Sequence, residues 1–370
     1  MKKYLLILLV SALWIGCSSV QSISNEIKTG QQEKSFQKEL VKNVQLNYLL
    51  YLPENYVEEE KFPLMIFLHG SGERGDDLEK VKMHGPPKLV EQGENLPFVI
   101  ISPQCPEGER WTDKWYPEAI ISLIDEIAVN YKIDNDRIYL TGLSMGGFGT
   151  WEIASLYPEK FAAITPICGG GNPEKARDLR LLPIWVFHGA KDDIVPPMLS
   201  QQIVDELKLY NSDVKFTLYS EANHNSWDET YNNRELYSWL LKQKRQERKL
   251  IKIKRENISA SSGYAFYAFD KNQQTRWESK YEDPQWITIK FDNKIVASKI
   301  SILWENAFSK KYSVFISEDG NKWQGILSEL SGDGFLDLIK FPESEIQFIR
   351  FDFWERGTEW GNSIWEIEIE

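Results

Sequence analysis

The chain has 370 residues, of which 43 are basic and 55 acidic, so its formal net charge is −12 at pH 7. An acidic chain without a basic face lacks the electrostatic footprint of a nucleic-acid binder, and we expect no nucleic-acid partner. Its one basic stretch, residues 242–254, is typical of a solvated linker. The length accommodates two domains of ordinary size.

Residues 1–17 have the pattern of an export signal. Two lysines follow Met1, an apolar stretch runs from Tyr4 to Ile15, and the stretch ends at Gly16 and Cys17. It is too short for a membrane-spanning helix. A cysteine directly after a small residue resembles a bacterial lipoprotein signal, which implies lipidation at Cys17, a membrane partner through that N-terminal anchor, and a place in the bacterial cell envelope, either periplasmic or at the cell surface. The alternative is an ordinary secretory signal in which Cys17 is incidental.

Residues 18–45 are polar at first, and we expect a flexible tether and lead-in there. From residue 46 to residue 245, short apolar runs alternate with amphipathic, helix-like stretches such as 119–130 and 200–210. This alternation predicts an α/β fold with a doubly wound, mostly parallel sheet covered on both faces. The predicted strands are residues 46–52, 64–68, 98–102, 138–141, 162–167, 184–188 and 215–219.

A G-x-S-x-G motif, Gly142 to Gly146, follows the predicted strand at 138–141 and precedes a helix-like stretch. A sharp turn between strand and helix exposes the serine oxygen at the top of a sheet, and the glycines permit the tight backbone. The motif therefore makes Ser144 a candidate nucleophile. Serine needs an adjacent base, which an acid must orient.

The chain contains only four histidines, and His224 alone lies C-terminal to every acid candidate in the loops at the strand ends. We therefore expect His224 to be the base. Asp192 follows the preceding strand and stands just before an apolar-proline step, which makes it the expected acid, with Asp193 as the alternative. The resulting order of serine, aspartate and histidine is that of α/β-hydrolases.

An oxyanion hole needs two backbone donors. Met145 follows the nucleophile and supplies one N–H group. The second donor is expected in the glycine-rich loop after residues 64–68, from Ser71 or Gly70. His69, which begins this loop, is expected to shape it by packing and hydrogen bonding. No cofactor is expected for catalysis.

Residues 46–245 resemble an α/β-hydrolase of the esterase and predicted-peptidase group that includes polyhydroxybutyrate-depolymerase-like and carbohydrate esterases. The resemblance implies a metal-free serine hydrolase and, as substrate, acetyl or feruloyl esters of plant polysaccharide. Trp111 and Trp115 then offer an aromatic wall for an acyl or sugar group, with a core contact as the alternative. Two cysteines of this region, Cys105 and Cys168, permit a disulfide without demanding one. The matching stretches are residues 63–77, 102–106, 142–147, 166–171, 188–196 and 224–228.

A change of composition marks a second domain at residues 257–370, after a linker at 246–256. This segment holds seven of the chain's fourteen tryptophans and many β-favouring residues, which predicts an all-β sandwich. It resembles discoidin-type modules, the coagulation-factor C-type domains that include many carbohydrate-binding modules. The resemblance implies a structural Ca²⁺ held by Asp270, Thr275 and Glu366, although Lys271 stands where glycine is usual. The matching stretches are residues 260–262, 268–277, 286–291, 317–323 and 360–366.

Sugar binding would use exposed aromatic rings, and Trp304, Trp354 and Trp360 are the candidates near loops. The expected function is therefore a serine carboxylic-ester hydrolase that is held on a polysaccharide by its second domain. Two alternatives stay open: a peptidase with the same triad, and a glycan-binding surface protein with an inactive hydrolase scaffold. The sequence leaves the oligomeric state unknown.

Overall fold

Two β-sheets, one in each half of the chain, organise the protein. The computed structural model describes residues 30–39, 43–56, 61–210, 214–245, 250–272 and 274–370. Residues 1–29, and with them the predicted signal and Cys17, lie outside the described residues, so the anchor stays a prediction. Within the described part, no helix combines the length and apolar character that crossing a membrane requires.

The first sheet has eight strands within the described residues, and its six C-terminal strands in chain order lie parallel to one another. In spatial order the strands are β1, β2, β4, β3, β5, β6, β7 and β8. Their bounds are β1 Gly30–Glu39, β2 Asn43–Leu52, β3 Phe62–Leu68, β4 Val99–Pro103, β5 Ile133–Leu143, β6 Ala163–Ile167, β7 Ile184–Gly189 and β8 Val214–Tyr219. The predicted α/β fold is confirmed, and each predicted strand overlaps an observed one.

Helices cover both faces of this sheet, as its sequence requires. Every residue of β3 is buried, and alternate side chains enter different apolar clusters: Leu64 and Ile66 lie in one, Met65 and Phe67 in the other. Strands buried on both faces read as continuous apolar runs because neither face meets water. The helices are α1 Gly85–Glu91, α2 Tyr116–Asn130, α3 Met145–Leu156, α4 Met198–Leu209, α5 Trp227–Asn232 and α6 Arg234–Lys242.

The flexible tether predicted within residues 18–45 is wrong for residues 30–39, which form β1. β1 pairs antiparallel with β2 from Gly30 opposite Leu52 to Glu39 opposite Asn43, at the edge of the sheet. The polar composition misled because an edge strand is held by backbone hydrogen bonds and leaves much of its side-chain surface in water. Phe36, which is buried, is its main contribution to the core.

The second sheet is antiparallel and has seven strands within the described residues. In spatial order they are β10, β15, β11, β14, β12 and β13, and β9 pairs with β11. Register shifts interrupt the pairing of the two longest strands, β11 and β14, and such bulges bend a strand. The bounds are β9 Ile258–Ala260, β10 Trp277–Glu278, β11 Gln285–Trp304, β12 Ser309–Ser317, β13 Gln324–Ser331, β14 Leu336–Arg356 and β15 Ser363–Ile369.

Candidate active site

Ser144 occupies the turn between β5 and α3 with φ of 51° and ψ of −114°, a strained backbone for a residue with a side chain. The surrounding glycines make this turn possible. A Cβ on Gly146 would overlap the Leu68 carbonyl oxygen of β3, and a Cβ on Gly142 would overlap the Gly146 carbonyl. Without side chains at these two positions, α3 packs directly onto the sheet and presents Ser144 at its C-terminal edge.

Three side chains predicted as a triad form one hydrogen-bonded chain. His224 Nε2 lies 2.9 Å from Ser144 Oγ, and His224 Nδ1 lies 2.7 Å from Asp192 Oδ2. Each residue comes from the loop that follows its own strand: Ser144 after β5, Asp192 after β7 and His224 after β8. Asp193, the alternative acid, is exposed. This geometry lets His224 take a proton from Ser144 while Asp192 orients the ring.

Asp192 is held as a carboxylate by four polar groups. Backbone N–H groups of Ile194 and Val195 donate to Oδ1 at 3.0 and 2.9 Å, and Oδ2 faces His224 and His188. Burial alone would raise the pKa of this carboxyl, but the hydrogen bonds from His224, Val195 and Ile194 outweigh burial and hold the pKa below its ordinary value. The acid is therefore charged whenever His224 is needed as a base.

His188 is the site residue that sequence reasoning missed. It is fully buried, and its Nε2 lies 3.1 Å from Asp192 Oδ2 and 2.8 Å from the Val195 carbonyl oxygen. Both neighbours of Nε2 are acceptors, so this nitrogen carries the proton. Nδ1 lies 2.8 Å from Ser200 Oγ, which fixes the other edge of the ring. The sequence signal for it was the His188-Gly189 pair at the end of β7, since His188 lies four residues before Asp192.

The expected oxyanion donors are Met145 and either Ser71 or Gly70, and two of these three residues begin a helical element. Met145 is the first residue of α3 and Ser71 the first of a 3-10 turn, positions whose N–H groups have no partner within the helix. A Cβ on Gly70 would lie 2.8 Å from Leu143 Cδ1, so the missing side chain brings this loop against the residue before the nucleophile. The structure therefore places the predicted loop beside the serine.

His69 anchors that loop from beneath. Its Nε2 accepts the Cys105 N–H at 2.9 Å, so Nδ1 carries the proton and donates to the Gly70 carbonyl oxygen at 2.6 Å. Burial lowers the pKa of His69 to about 4, which keeps the ring neutral. Trp111 Nε1 donates to the His69 carbonyl oxygen at 3.0 Å. His69 thus has the loop-shaping place expected for it.

The aromatic wall predicted from Trp111 and Trp115 is wrong for Trp111. Its side chain has 0% exposure and packs edge-on against His69, so it supports the loop and cannot meet a substrate. Indoles that are fully buried need a partner for the N–H group, and the His69 carbonyl supplies it. Trp115 is partly buried against the main apolar cluster, with the Lys114 ammonium 4.6 Å from its ring centre. Its contact with substrate stays a prediction.

Cys168 lies directly beneath the nucleophile. The Ser144 N–H donates to the Ile167 carbonyl at 3.0 Å and approaches Cys168 Sγ at 3.3 Å. Burial raises the pKa of this thiol to about 12, so it stays protonated and unreactive. Of the described cysteines, Cys105 and Cys168 are both unpaired, and the permitted disulfide is not formed.

A cavity of about 270 Å³ lies along α3 one turn beyond Ser144. The residues that line it include Phe148 and Trp151 of α3, Gly170 after β6, and Leu199 of α4. Phe148 N–H donates to the Ser144 carbonyl oxygen, which ties this wall to the nucleophile turn. The lining is therefore partly aromatic and partly polar, with Asn172 among the polar residues.

In the second domain, the structure separates the three candidate sugar-stacking tryptophans. Trp304 is buried, and its Nε1 donates to Asp337 Oδ2 at 2.7 Å, so this candidate is a core residue and not an exposed stacking ring. Trp354 and Trp360 are exposed. The sequence placed Trp304 near a loop, but it is the last residue of β11.

Trp360 belongs to an exposed aromatic and polar cluster. Its ring lies 5.9 Å from that of Tyr281 in an edge-on arrangement, and both rings are 55% exposed. Arg356 donates from Nη1 to the carbonyl oxygens of Glu359 and Trp360 at 3.2 and 3.4 Å and from Nε to Asp283 Oδ2 at 3.2 Å. We call Tyr281, Asp283, Arg356 and Trp360 the aromatic platform. Tyr281 was not foreseen from the sequence.

The expected calcium ligands lie around one turn. Thr275 Oγ1 lies 2.9 and 2.8 Å from the two Asp270 carboxylate oxygens, and the Lys271 N–H donates to Glu366 Oε2 at 3.0 Å. Burial, together with the neighbouring Glu368 and Asp270 carboxylates, raises the pKa of Glu366 to about 8. Clustered carboxylate and hydroxyl oxygens fit a hard cation, which would relieve this repulsion. Lys271 adopts φ of 58°, the left-handed backbone that glycine usually supplies.

Two family matches fit this architecture. Residues 112–240 match the dienelactone hydrolase family, and residues 252–367 match the F5/8 type C domain. The chain carries an α/β-hydrolase domain and a discoidin-like domain. A solved thermostable esterase is similar to the hydrolase domain, with 34% identity and a TM-score of 0.51 over 58% of this chain and 63% of that one.

Two curated relatives are similar to parts of the hydrolase domain. A bifunctional acetylxylan esterase/xylanase of Neocallimastix patriciarum is 27% identical over 51% of this chain, and a poly(3-hydroxyalkanoate) depolymerase C of Paucimonas lemoignei is 29% identical over 29% of it. The matches span only 27% and 28% of those relatives' own length. Together with the solved esterase they support an esterase-type hydrolase in this domain.

Proposed function

We propose that the protein is a serine carboxylic-ester hydrolase that removes acyl groups, feruloyl or acetyl, from plant polysaccharide. The observation that carries the proposal is the continuous chain of hydrogen bonds from Ser144 through His224 to Asp192. The substrate class draws its support from the relative named as an acetylxylan esterase. Among esters of one acyl group, the polysaccharide ester is expected to be preferred.

In the first half of the reaction, Ser144 Oγ attacks the ester carbonyl carbon as its proton passes to His224 Nε2. The carbonyl oxygen gains negative charge and is stabilised by the N–H group of Met145 and by that of Ser71 or Gly70. The bond to the sugar oxygen then breaks, and His224 returns its proton to that oxygen. The acyl group stays on Ser144, and the polysaccharide hydroxyl is released.

In the second half, water replaces the alcohol. His224 Nε2 takes a proton from the water while its oxygen attacks the acyl carbon of the acyl-enzyme. Collapse of this intermediate breaks the bond to Ser144 Oγ, which recovers its proton from His224. The products of the whole cycle are one carboxylic acid and one alcohol, for one ester and one water consumed. Asp192 stays ionised throughout and holds the His224 ring in place.

The cavity beside α3 suits the acyl group. Phe148, Trp151 and the polar Asn172 all line it, and a mixture of aromatic and polar groups suits a phenolic acyl chain. An acetyl group would fill only a small part of its volume. The cavity therefore supports feruloyl esters as the larger substrates and acetyl esters as the smaller ones.

The discoidin-like domain would keep the enzyme on its polymer. The aromatic platform offers Trp360 and Tyr281 for stacking against a sugar ring and Arg356 and Asp283 for its hydroxyls. A structural Ca²⁺ held by Asp270, Thr275 and Glu366 would fix the turn at residues 270–275 against β15. Tethering raises the local substrate concentration without changing the chemistry. With a lipid on Cys17, the enzyme would act at the bacterial envelope.

The test is hydrolysis of native plant-wall polysaccharide by the full chain and by Ser144→Ala, with released acetate and hydroxycinnamate measured by mass spectrometry. Release by the first protein and none by the second is the expected result. Failure of both on every polysaccharide ester, with cleavage of peptides by the wild type, would replace the esterase proposal by a peptidase. Binding of the polysaccharide without turnover of any ester would leave a glycan-binding protein on an inactive scaffold.

A further inference from the structure

The two domains touch at the segment that follows β6. This segment, Pro173–Leu179, is a 3-10 helix, and we call it the 3-10 segment. The guanidinium carbon of Arg177 lies 4.5 Å from the centre of the Trp365 ring, and Trp365 belongs to β15 of the discoidin-like domain. A guanidinium over an aromatic ring is attracted by the negative face of that ring. The 3-10 segment is therefore joined to the second domain by a contact with a preferred geometry.

A second contact lies at the C-terminal end of the 3-10 segment. Arg180 Nη2 lies 3.4 Å from Glu368 Oε1, and Arg180 Nη1 donates to the Arg177 carbonyl oxygen at 3.1 Å. Ser301 Oγ donates to Glu368 Oε2 at 3.2 Å, which holds this carboxylate on its own sheet. The Arg180 and Glu368 side chains are only 12% and 10% exposed. Removal of one partner from a buried ion pair leaves an unpaired charge, so this pair favours one arrangement of the two domains.

A third contact reaches α4, which packs beside the 3-10 segment. The ring of Tyr210, the residue after α4, lies 6.0 Å from the ring of Phe335 in an edge-on arrangement. Phe335 directly precedes β14 of the discoidin-like domain. The second domain thus contacts two neighbouring elements of the hydrolase domain.

The same two elements border the cavity along α3. Lys175 of the 3-10 segment lines the cavity, as does Asn172, the residue before that segment, and Leu199 and Ile203 line it from α4. Asn172 is tied to the 3-10 segment because its Oδ1 accepts the Glu174 N–H at 3.1 Å. A shift of the 3-10 segment would therefore move part of the cavity lining.

The 3-10 segment depends on side-chain contacts for its position. It has seven residues, whereas 3-10 helices longer than three or four residues are uncommon because their hydrogen-bond geometry is poor. Ala176 and Leu179 are fully buried in the main apolar cluster, which fixes one side of the segment. Arg177 and Arg180 point the other way and meet the second domain. The discoidin-like domain therefore completes the support of this segment.

The place of these contacts indicates which part of the reaction they affect. Ser144 caps α3, and the cavity lining includes Phe148, one turn further along that helix. The triad residues lie outside the 3-10 segment, in the loops after β5, β7 and β8. An acetyl group would fill a small part of the cavity, whereas a feruloyl group would meet much more of its lining. A displaced 3-10 segment should therefore weaken binding of large acyl groups and spare small ones.

We propose that the discoidin-like domain fixes the shape of the acyl cavity in the hydrolase domain, with Arg177 and Trp365 as positioning residues for large acyl groups. The inference rests on the proposed esterase function and gives the second domain a task beside holding the polymer. The contacts act through the lining of the cavity and leave the chemistry of the triad as it is.

The test uses methyl ferulate and methyl acetate, two soluble esters that differ only in the acyl group and carry no sugar. Trp365→Ala should raise KM for methyl ferulate roughly three- to tenfold, with its kcat and the kcat/KM for methyl acetate within about twofold of wild type. Trp365→Phe keeps an aromatic face for Arg177 and should restore most of the affinity. Trp286→Ala is the matched control, because the Arg350 guanidinium lies 5.3 Å from this ring within the discoidin-like domain.

A double-mutant cycle tests whether the effect crosses the domain boundary. Arg177→Met removes the charge on the hydrolase side and should raise KM for methyl ferulate as Trp365→Ala does. The double variant should lie within about twofold of either single variant, because both changes remove one shared contact. Multiplying effects in the double variant would show that the two residues act separately and would contradict the inference.

Backbone amide hydrogen exchange of residues 173–179 gives a readout that needs no substrate. Exchange there should be faster in Trp365→Ala than in wild type or Trp286→Ala, because the segment loses support on one side. Unchanged exchange, or equal losses on both methyl esters in Trp365→Ala, would overturn the inference and leave the esterase intact. Absence of wild-type turnover on both esters would defeat the esterase and with it the acyl role of the contact, while the exchange rates would still decide whether the second domain supports the segment. Thermal midpoints of all variants identify losses due to misfolding.

Discussion

His188 Nε2 lies 3.1 Å from Asp192 Oδ2, the same oxygen that accepts the hydrogen bond from His224. One carboxylate oxygen is thus shared between a buried histidine behind it and the candidate base in front of it. Because Asp192 Oδ1 is bound by two backbone N–H groups, the carboxylate has no freedom to turn. The orientation of the His224 ring therefore depends on a residue that never meets the substrate.

Replacing His188 by Leu should lower kcat roughly 10- to 100-fold and leave KM within about twofold, since the loss falls on the geometry of the reacting groups. His188→Gln retains a donor near Asp192 and should recover part of that activity. Steady-state kinetics on one soluble ester, at equal folded fractions, measures the split. A rise in KM with kcat unchanged would show that His188 acts on substrate binding and not on Asp192.

Asp192 is buried and Asp193, the next residue, is exposed, so the same substitution at the two positions gives a variant and its control. Asp192→Asn should lower kcat by roughly 10⁴, because an amide no longer holds His224 in the tautomer that accepts the serine proton. Asp193 is exposed, so Asp193→Asn should retain wild-type activity. Hydrolysis of a chromogenic ester measures both. Equal losses in the two variants would remove Asp192 from the mechanism.

Two glycines test the steric account of the nucleophile turn. A methyl group on Gly146 would overlap the Leu68 carbonyl oxygen, whereas one on Gly72 would meet nothing within 4 Å. Gly146→Ala should lower the free energy of unfolding by roughly 3 kcal/mol or more, and Gly72→Ala should change it by less than about 0.5 kcal/mol. Urea unfolding of the hydrolase domain, followed by tryptophan fluorescence, gives both values. Unchanged stability in Gly146→Ala would mean that α3 can move off the sheet.

Calcium should stabilise the discoidin-like domain through Glu366. Free Ca²⁺ at 100 times its Kd adds about 2.7 kcal/mol to the free energy of unfolding, which calorimetry detects as a higher thermal midpoint. Glu366→Gln should abolish this response, and Glu278→Gln, a change at an exposed glutamate of the same sheet, should preserve it. If the wild-type thermal midpoint is the same in Ca²⁺ and in chelator, the domain has no Ca²⁺ site at Glu366.

Binding of the insoluble polysaccharide should depend on the aromatic platform. Trp360→Ala should weaken binding by at least tenfold, because a sugar ring loses its stacking surface. Trp323→Ala is the control, because this tryptophan is also exposed. It follows the C-terminal end of β12, whereas Arg356 of the aromatic platform pairs with Ser309 at the N-terminal end of that strand. Depletion isotherms measure both, and equal weakening would place the glycan elsewhere on the domain.

The order of elements and the triad could be read from the sequence because each depends on local pattern. Ser144 sits in a motif whose glycines have one steric purpose, and Asp192 and His224 follow apolar runs that become parallel strands. Their meeting follows from the sheet, since the carboxyl ends of parallel strands share one edge. The composition change near residue 257 likewise identified the second domain.

Features that depend on contacts between distant loops could not be read in this way. His188 reaches Asp192 only because the loop after β7 folds back over the strand end. The sequence left Trp111 open between a substrate-facing wall and a core contact, and the bond from its indole N–H to the His69 carbonyl oxygen shows the core contact. The strand at Gly30–Glu39 could not be predicted because its polar composition does not favour a strand, and its backbone pairing with β2 holds it in place.

The backbone of Ser144 has φ of 51°, a region that glycine enters freely and serine enters at a cost of roughly 1–3 kcal/mol. A glycine at this position would relieve the strain and leave the domain without a nucleophile. Selection for conformational stability and selection for catalytic activity therefore act in opposite directions at this one residue. If a descendant of this hydrolase no longer needed its activity, we expect replacement of Ser144 by glycine to be among the substitutions that stabilise it.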